Sequence, residues 1–444
     1  MMDWNKLLST KRYGQDALEP ISDSRSPFHK DQDRIVFSSA FRRLQDKTQV
    51  HSMAENDYVR TRLTHSMEVA SVGRSLGANA GQMIIDRHMK ETDFSAAEFG
   101  HIVSAACLAH DIGNPPFGHF GEETIRHWFK TGPLERRELS PLYESQRQDF
   151  LKFEGNAQGF RILTRLQNWR NDGGLRLTYA TLGTFMKYPR TSVISNPIED
   201  DKAAKKFGIM QSEVAFFREI ASEIGLLQRG HEDYWCRHPL TYLVEAADDI
   251  CYLVVDIEDG FKLGRLEFAE TEALMLEILG SPPSRYGELE DKSEKISYLR
   301  AKCIGHLIGE ISIIFADYET AILEGSYKGD LLQHSSSASV FTRIEELCRT
   351  HIFSHPERVE AELRGSEILT SMLDALYTAN LEWEAKLQSG AEPAPRSAVI
   401  MNLFPQARAN LKGRYDWLLD ITDFVSGMTD SFAVRQFKDL KGIS

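Results

Sequence analysis

The chain has 444 residues, of which 42% are apolar and 26% are charged, and its formal net charge is −13. This length is enough for one large domain or two ordinary ones, and the composition is typical of a globular protein with a substantial core. The acidic balance argues against a protein that coats nucleic acid broadly, although a local basic pocket could still receive a small anionic substrate. Basic clusters suited to such a pocket occur at Arg42, Arg43 and Lys47, at Arg60 and Arg62, and at Lys187 and Arg190.

The sequence shows no feature of a membrane or secreted protein. A run of about 18 apolar residues, the length that a spanning helix needs, does not occur, and the N-terminal stretch lacks the apolar core of a secretory signal. The five cysteines are odd in number and form no Cys-x-x-Cys pair, which favours free thiols over a disulfide frame or a structural zinc site. We therefore expect a cytoplasmic protein without a membrane partner.

Apolar residues recur at three- and four-residue spacing along most of the chain, which predicts α-helices. In chain order the predicted helices cover residues 62–82, 96–110, 156–169, 211–228, 240–257, 267–280, 296–324 and 356–387. Breaks are expected where Gly, Pro or polar residues accumulate, at 113–116, 130–150, 281–284 and 389–397. Alternating patterns typical of strands are nearly absent, so the expected fold class is all-α.

The segment LAHDIGNPPFGHFGEE (108–123) places a histidine directly before an aspartate, His110 and Asp111. Adjacent residues on a helix point about 100° apart, so these two side chains can converge on one ion only where the helix ends. Gly113 and the two prolines that follow supply that end, because they cannot continue the helix. The segment thus offers an imidazole nitrogen and a carboxylate oxygen together.

Two other segments could complete a metal site. His65 lies early in the predicted helix 62–82, and polar residues line one side of the predicted helix 240–257, namely Glu245, Asp248, Asp249, Tyr252 and Asp256. Two imidazoles and two carboxylates suit Mn, Fe, Co, Ni, Zn or a modest Mg site, and the lack of thiolate argues against closed structural zinc. Spacing alone also fits an interpretation without a metal site, since a His-Asp pair is common and an acidic stripe is more often a solvated helix face.

Longer stretches of the chain resemble a known family. Together they resemble the HD-domain superfamily and, within it, the deoxyguanosine triphosphate triphosphohydrolases. The stretches are SPFHKDQDRIVFSSAFRRLQDKTQV (26–50), YVRTRLTHSMEVA (58–70), ACLAHDIGNPPFGHFGEE (106–123), FEGNAQGFRILTRL (153–166), MKYPR (186–190), HPLTYLVEAADDICYLVVDIEDG (238–260) and DFVSGMTDSFA (423–433). The resemblance implies an all-α HD core with peripheral helices. We expect one globular unit over 1–444, with a metal-binding core at about 58–260 and a helical C-terminal extension at about 265–444.

The resemblance implies that His65, His110, Asp111 and Asp248 ligate a divalent metal. Asp249 is the rival for the last place, and Asp248 is preferred because HD proteins usually carry the aspartate directly after alanine. Mg²⁺ or Mn²⁺ is the expected cofactor, with Fe, Co, Ni or Zn as alternatives.

The remaining site residues are also assigned by resemblance. His119 and Glu122 would form a proton-transfer pair beside the α-phosphate; the competing interpretation is an exposed helix start whose acid complements the helix dipole. Arg62 and Lys187 would contact the triphosphate, since Arg offers a planar fork of donors and Lys a point charge. Weaker assignments, as contacts to base or sugar, are Gln49, Asn156 and Tyr252.

The implied reaction is hydrolysis of a deoxynucleoside triphosphate, with dGTP preferred, to deoxynucleoside and inorganic triphosphate. The resemblance also implies a homo-oligomer, expected to be a hexamer. Two alternatives are an HD phosphohydrolase acting on nucleoside monophosphates or signalling nucleotides, and a non-catalytic nucleotide sensor that keeps the metal shell. Binding of single-stranded DNA is a minor third expectation, disfavoured by the net acidity.

Overall fold

The computed structural model describes residues 1–15, 25–48, 60–89, 94–134, 139–170, 172–195, 197–198, 201–351, 356–403 and 413–443. Within these ranges the chain forms eighteen α-helices joined by turns and short 3₁₀ or π segments, with isolated β-bridges and no β-strand. This confirms the all-α fold class. No helix in the described ranges is both long enough and apolar enough to cross a membrane.

The helices are numbered in chain order. They are α1 (Trp4–Leu7), α2 (Pro27–Val36), α3 (Ser39–Arg43), α4 (Arg62–His88), α5 (Ala96–Ala109), α6 (Gly118–Phe129), α7 (Glu144–Leu151), α8 (Gly155–Arg161), α9 (Tyr179–Phe185), α10 (Val214–Glu223), α11 (Thr241–Lys262), α12 (Phe268–Leu279), α13 (Lys292–Leu323), α14 (Ala338–His351), α15 (Pro356–Ser389), α16 (Pro395–Ile400), α17 (Arg414–Ser426) and α18 (Asp430–Lys441).

Most predicted helices are present, and the differences have local causes. The stretch predicted as helix 156–169 is α8 followed by a π-turn, and α4 continues to His88. Two expected breaks contain helices. In the polar stretch 130–150, α7 forms with only Asp149 and Phe150 buried, so its apolar periodicity is weak. In 389–397, α16 begins at Pro395, because proline is compatible with the first turn of a helix.

Helices α4 and α5 pack very closely because α4 carries glycine where α5 approaches it. A Cβ added at Gly77 would lie 2.7 Å from the Phe99 carbonyl oxygen and 2.9 Å from Gly100 Cα, and one at Gly81 would lie 2.7 Å from the Phe99 ring. Gly73 faces Val103 and Cys107 in the same way. This contact brings the start of α4 and the end of α5, with their histidines, to one place.

Helix α11 packs across both α4 and α5 through a fully apolar face. Its residues Leu243, Ala246, Ile250 and Val254 are at most 1% exposed, as the predicted stripe requires. The opposite stripe carries Asp248, which α11 thereby presents to the two histidines.

A second cluster of buried side chains lies around the C-terminal helices. It joins α6 and α7 to α15 and α17 through residues such as Phe129, Phe150, Leu369, Leu373 and Ile421. Helix α6, which lies within the expected core 58–260, therefore shares its apolar face with the expected C-terminal extension. The division of the chain into those two parts stays a prediction.

The close α4–α5 contact can be tested with Gly77→Ala. The added methyl group meets backbone atoms that cannot move aside, so we expect a loss of about 1–3 kcal/mol in the free energy of unfolding, measured by denaturant titration. Gly309→Ala is the matched control, because Gly309 is also inside a helix, α13, and has open space around it. That variant should be unchanged or slightly more stable. Equal stability of the two variants would contradict the packing described.

Candidate metal centre and active site

Three ligand atoms, one from α4 and two from the turn after α5, form a compact cluster. His65 lies in the first turns of α4, and His110 and Asp111 directly follow α5. One nitrogen from each imidazole and one oxygen of Asp111 lie within 4.8 Å of one another. As the sequence predicts, the helix ends at Ala109, and the chain then turns so that both adjacent side chains face the same point.

Asp248 on α11 joins this cluster. Its Oδ1 lies 3.0 Å from His65 Nε2 and 3.7 Å from His110 Nε2. Burial acts to raise its pKa, but the two histidines and Lys187 hold the pKa well below the usual range, so the carboxylate is ionised. Asp249 faces another environment, in which burial and the nearby Glu245 raise its pKa to about 8. The position of Asp248 Oδ1 beside both imidazoles supports Asp248 over Asp249 as the ligand.

Hydrogen bonds orient the ligands. His110 Nδ1–H donates to the Cys107 carbonyl oxygen at 2.7 Å, which leaves the Nε2 lone pair for an ion. Asp111 accepts from Asn114 Nδ2 and from Arg62 Nη1, each at 2.5 Å. Burial acts against the charge on Asp111, yet Arg62 and the histidines lower its pKa. Two imidazole nitrogens and two carboxylate oxygens form a donor set that fits a divalent metal ion of the borderline or hard kind.

The predicted proton-transfer pair is assembled on the first turn of α6. His119 Nδ1 lies 2.9 Å from Glu122 Oε2, while Glu122 Oε1 accepts from the Gly155 backbone N–H at 2.6 Å. Burial acts to raise the Glu122 pKa, but the His119 hydrogen bond and Lys206 lower it. The His119 side chain is 63% exposed whereas Glu122 is 4% exposed, so the acid anchors an imidazole that faces the open space.

This pair lines the same cavity as His110, Asp111 and Asp248, and the cavity has a volume of about 280 Å³. Three cations also line it: Arg62, Lys187 and Lys206. Lys187 Nζ is 3.5 Å from Glu245 Oε1, and this neighbour raises the Lys187 pKa despite burial, which acts to lower it. The cavity therefore combines a metal-ligand set, a His–Glu pair and permanent positive charge.

The weaker sequence assignments have different positions. Asn156 lines the cavity, and its Nδ2 lies 3.5 Å from Glu154 Oε2. Tyr252 is half-buried on α11 one turn beyond Asp248, and it is not among the described residues that line the cavity. Gln49 lies outside the described residues.

Several lining residues were not singled out from the sequence, namely Asn114, Phe185, Tyr188, Lys206, Thr241 and Val244. Asn114 lies within the predicted break at 113–116, so its proximity to Asp111 could be predicted from the sequence. Lys206 belongs to the run KAAKKF (202–207), whose charges look like an ordinary solvated surface, and no local signal distinguishes it.

The choice of carboxylate is tested by a pair of variants. Asp248→Ala should abolish Mn²⁺ binding measured by calorimetry, because it removes the oxygen beside both imidazoles. Asp249→Ala is the matched control on the next residue and should bind Mn²⁺ close to wild type. The reverse pattern would show that Asp249 is the ligand.

Comparison with known proteins shows the family of the chain. Residues 62–148 match the HD domain family. Over 100% of both chains, the protein is 43% identical to a deoxyguanosinetriphosphate triphosphohydrolase-like protein of Synechocystis sp.. It is 42% identical to a Pseudomonas aeruginosa protein of the same name, over 100% of this chain and 99% of the relative. It is 34% identical to the deoxyguanosinetriphosphate triphosphohydrolase of Enterobacter sp., over 94% of each chain. The protein is therefore a hydrolase of the HD-domain family that contains the deoxyguanosinetriphosphate triphosphohydrolases and their like proteins.

Proposed function

We propose that this hydrolase cleaves deoxynucleoside triphosphates, with dGTP preferred, into deoxynucleoside and inorganic triphosphate in a metal-dependent reaction. The observation that carries the proposal is the shared cavity, in which the His119–Glu122 pair faces the His/Asp cluster across a space that also holds Lys187 and Lys206. The relatives named for triphosphohydrolysis of deoxyguanosine triphosphate supply the substrate class.

His65, His110, Asp111 and Asp248 are proposed to hold the divalent ion, with Mg²⁺ or Mn²⁺ expected. When bound, such an ion supplies Lewis-acid polarisation of a phosphate oxygen. Arg62 orients Asp111 through its 2.5 Å hydrogen bond, and the same residue lines the cavity. Arg62 thus serves the ligand set directly and is proposed to contact the triphosphate as well.

Lys187 and Lys206 are proposed to bind the triphosphate chain. Each is paired with a buried acid, Lys187 with Glu245 at 3.5 Å and Lys206 with Glu154 at 3.1 Å. These pairs hold the ammonium groups at the cavity wall while leaving donors for phosphate oxygens. A substrate with several negative charges is thereby favoured over a singly charged one.

The His119–Glu122 pair is proposed to move the proton that the reaction requires. Water adds a hydroxyl group to the α-phosphorus, the bond from phosphorus to the 5′ oxygen breaks, and that oxygen leaves as the deoxynucleoside hydroxyl after gaining a proton. His119 is held at Nδ1 by ionised Glu122, so its Nε2 is the atom that exchanges the proton. Glu122 would also stabilise the imidazolium form of His119 after His119 takes a proton from the attacking water and before a proton passes to the 5′ oxygen.

The remaining expectations are part of this proposal. Asn156, Tyr252 and Gln49 are assigned to the base or the sugar, and of these Asn156 has support from its place in the cavity wall. A cytoplasmic location and a homo-hexameric assembly follow the family, and binding of single-stranded DNA remains a minor expectation.

Product analysis distinguishes the proposed reaction from other phosphohydrolysis. Incubation with each deoxynucleoside triphosphate and Mn²⁺, resolved by ion-exchange chromatography, should release inorganic triphosphate, fastest from dGTP. Chelation by EDTA should stop the release, because the ligand set would be emptied. Release of diphosphate and monophosphate without triphosphate would refute the reaction, and absence of turnover would favour a nucleotide sensor.

The role of the His–Glu pair is tested by His119→Ala. Loss of the proton-exchanging nitrogen should lower kcat by about 10²–10⁴-fold with Mn²⁺ affinity unchanged, since His119 is not a metal ligand. His127→Ala is the matched control, because His127 is exposed on the same helix two turns away. Its kcat should equal that of wild type. A His119→Ala enzyme with wild-type kcat would remove the pair from the mechanism.

A further inference from the structure

A single buried carboxylate from the C-terminal part of the chain contacts two segments that carry the candidate site. Asp430, the first residue of α18, is 3% exposed. Its Oδ2 accepts from the Thr48 backbone N–H at 3.1 Å and from the Thr48 hydroxyl at 2.7 Å, and its Oδ1 accepts from the Phe117 backbone N–H at 3.0 Å. The carboxylate therefore bridges Thr48 and the residue that directly precedes α6.

The Thr48 contact leads to the metal-ligand set. The Thr48 carbonyl oxygen accepts from Arg62 Nε at 3.1 Å, and Arg62 Nη1 donates to Asp111 Oδ2 at 2.5 Å. The Arg62 backbone N–H is also bound to the Lys47 carbonyl oxygen at 3.1 Å. Asp430 thus fixes the peptide that orients the guanidinium, and the guanidinium orients a proposed metal ligand.

The Phe117 contact leads to the proton-transfer pair. Phe117 immediately precedes α6 and has φ +61°, a left-handed conformation that is uncommon for a bulky residue and costs energy. Such a conformation persists only where its surroundings hold it, and the hydrogen bond from its N–H to Asp430 does so. Two residues later comes His119, so the direction in which α6 starts sets the position of the imidazole.

A second set of hydrogen bonds links the same C-terminal segment, residues 426–430, to Lys47, the neighbour of Thr48. Lys47 is 3% exposed, and its Nζ donates to the Ser426 carbonyl oxygen at 2.8 Å and to the Asn114 carbonyl oxygen at 2.6 Å. Asn114 in turn donates to Asp111 Oδ1. Both oxygens of Asp111 are therefore connected, through one intermediate residue each, to the residue pair 47–48 that the tail holds.

The local requirements of α18 do not account for Asp430. The N-cap of α18 is Thr429, whose hydroxyl accepts from the Phe432 N–H, so the Asp430 side chain is not needed as the cap. An acid at this position also complements the helix dipole, but an exposed one would do so equally well. Burying the carboxylate against Thr48 and Phe117 has a desolvation cost that its three hydrogen bonds offset.

From these contacts we infer that Asp430 is a positioning residue for the hydrolytic reaction, acting on the metal-ligand set through Thr48 and Arg62 and on His119 through Phe117. The inference rests on the proposed function. It assigns a task in catalysis to the tail segment Ser426–Asp430, which contributes no residue to the cavity wall among the described positions.

The test is Asp430→Asn in the full chain. Asparagine keeps the size of the side chain but replaces one of its two acceptor oxygens by an NH₂ donor. That donor then faces the N–H group of either Thr48 or Phe117, so one hydrogen bond is lost. We expect Mn²⁺ affinity, measured by calorimetry without substrate, to fall about 10-fold or more and kcat to fall about 10–100-fold, with a smaller change in KM for dGTP. The matched control is Ser431→Ala, which removes a neighbouring hydrogen bond from α18 to Asp46 and should change neither quantity.

A second pair of variants keeps the inference testable if Asp430→Asn does not fold. Thr48→Val removes the 2.7 Å hydroxyl contact and should weaken Mn²⁺ binding and lower kcat, whereas Thr48→Ser retains the hydroxyl and should restore both. Wild-type Mn²⁺ affinity and kcat in Asp430→Asn, or in Thr48→Val where Asp430→Asn is insoluble, would overturn the inference. A wild-type enzyme that releases no triphosphate would refute the proposed function alone, because the Mn²⁺ measurement does not depend on turnover.

Discussion

The close approach of α4 and α5 is the constraint on which the candidate site depends. A metal site needs its donor atoms within a few ångströms, and two helices bearing ordinary side chains pack with their axes about 8–10 Å apart. Glycines at positions 73, 77 and 81 let the backbones of α4 and α5 come nearer than side chains would allow. His65 and His110 therefore face each other with ring centroids 5.3 Å apart, and α11 needs to add only Asp248 to complete the set.

The charges of the molecule are arranged locally, and the net value of −13 hides this arrangement. Around the cavity, buried acids are matched with cations: Glu245 with Lys187 and Arg237, and Glu154 with Lys206 and Arg126. Each pair offsets the cost of burying its members and keeps the long cationic side chains in one orientation. Orientation of that kind matters for a polyanionic substrate, since donors already in place need no reorganisation when phosphate arrives.

The sequence was sufficient for the fold class and for most long helices, because apolar spacing reports burial on one face. It placed breaks where α7 and α16 form, one too polar to show that spacing and one begun by a proline, and it did not predict α9, α14, α17 or α18. For the site, the end of α5 at Ala109 followed from the Gly-Pro-Pro break, and the family resemblance indicated Asp248. The sequence did not indicate roles for Lys206, Glu154 and Asp430. Those roles come from partners far away in the chain, and no spacing rule encodes a tertiary contact.

The bond between Thr48 and Asp430 joins residues 382 positions apart, and the bond from Lys47 to Ser426 joins residues 379 apart. Contacts of such sequence separation are entropically costly to close, because they order a long stretch of chain. The helices that carry or precede the proposed ligands, α4, α5 and α11, contact one another within residues 62–262. A polypeptide in which residues 426–430 were not docked would thus lack the bonds that fix residues 47 and 48, even where every ligand-bearing helix had formed.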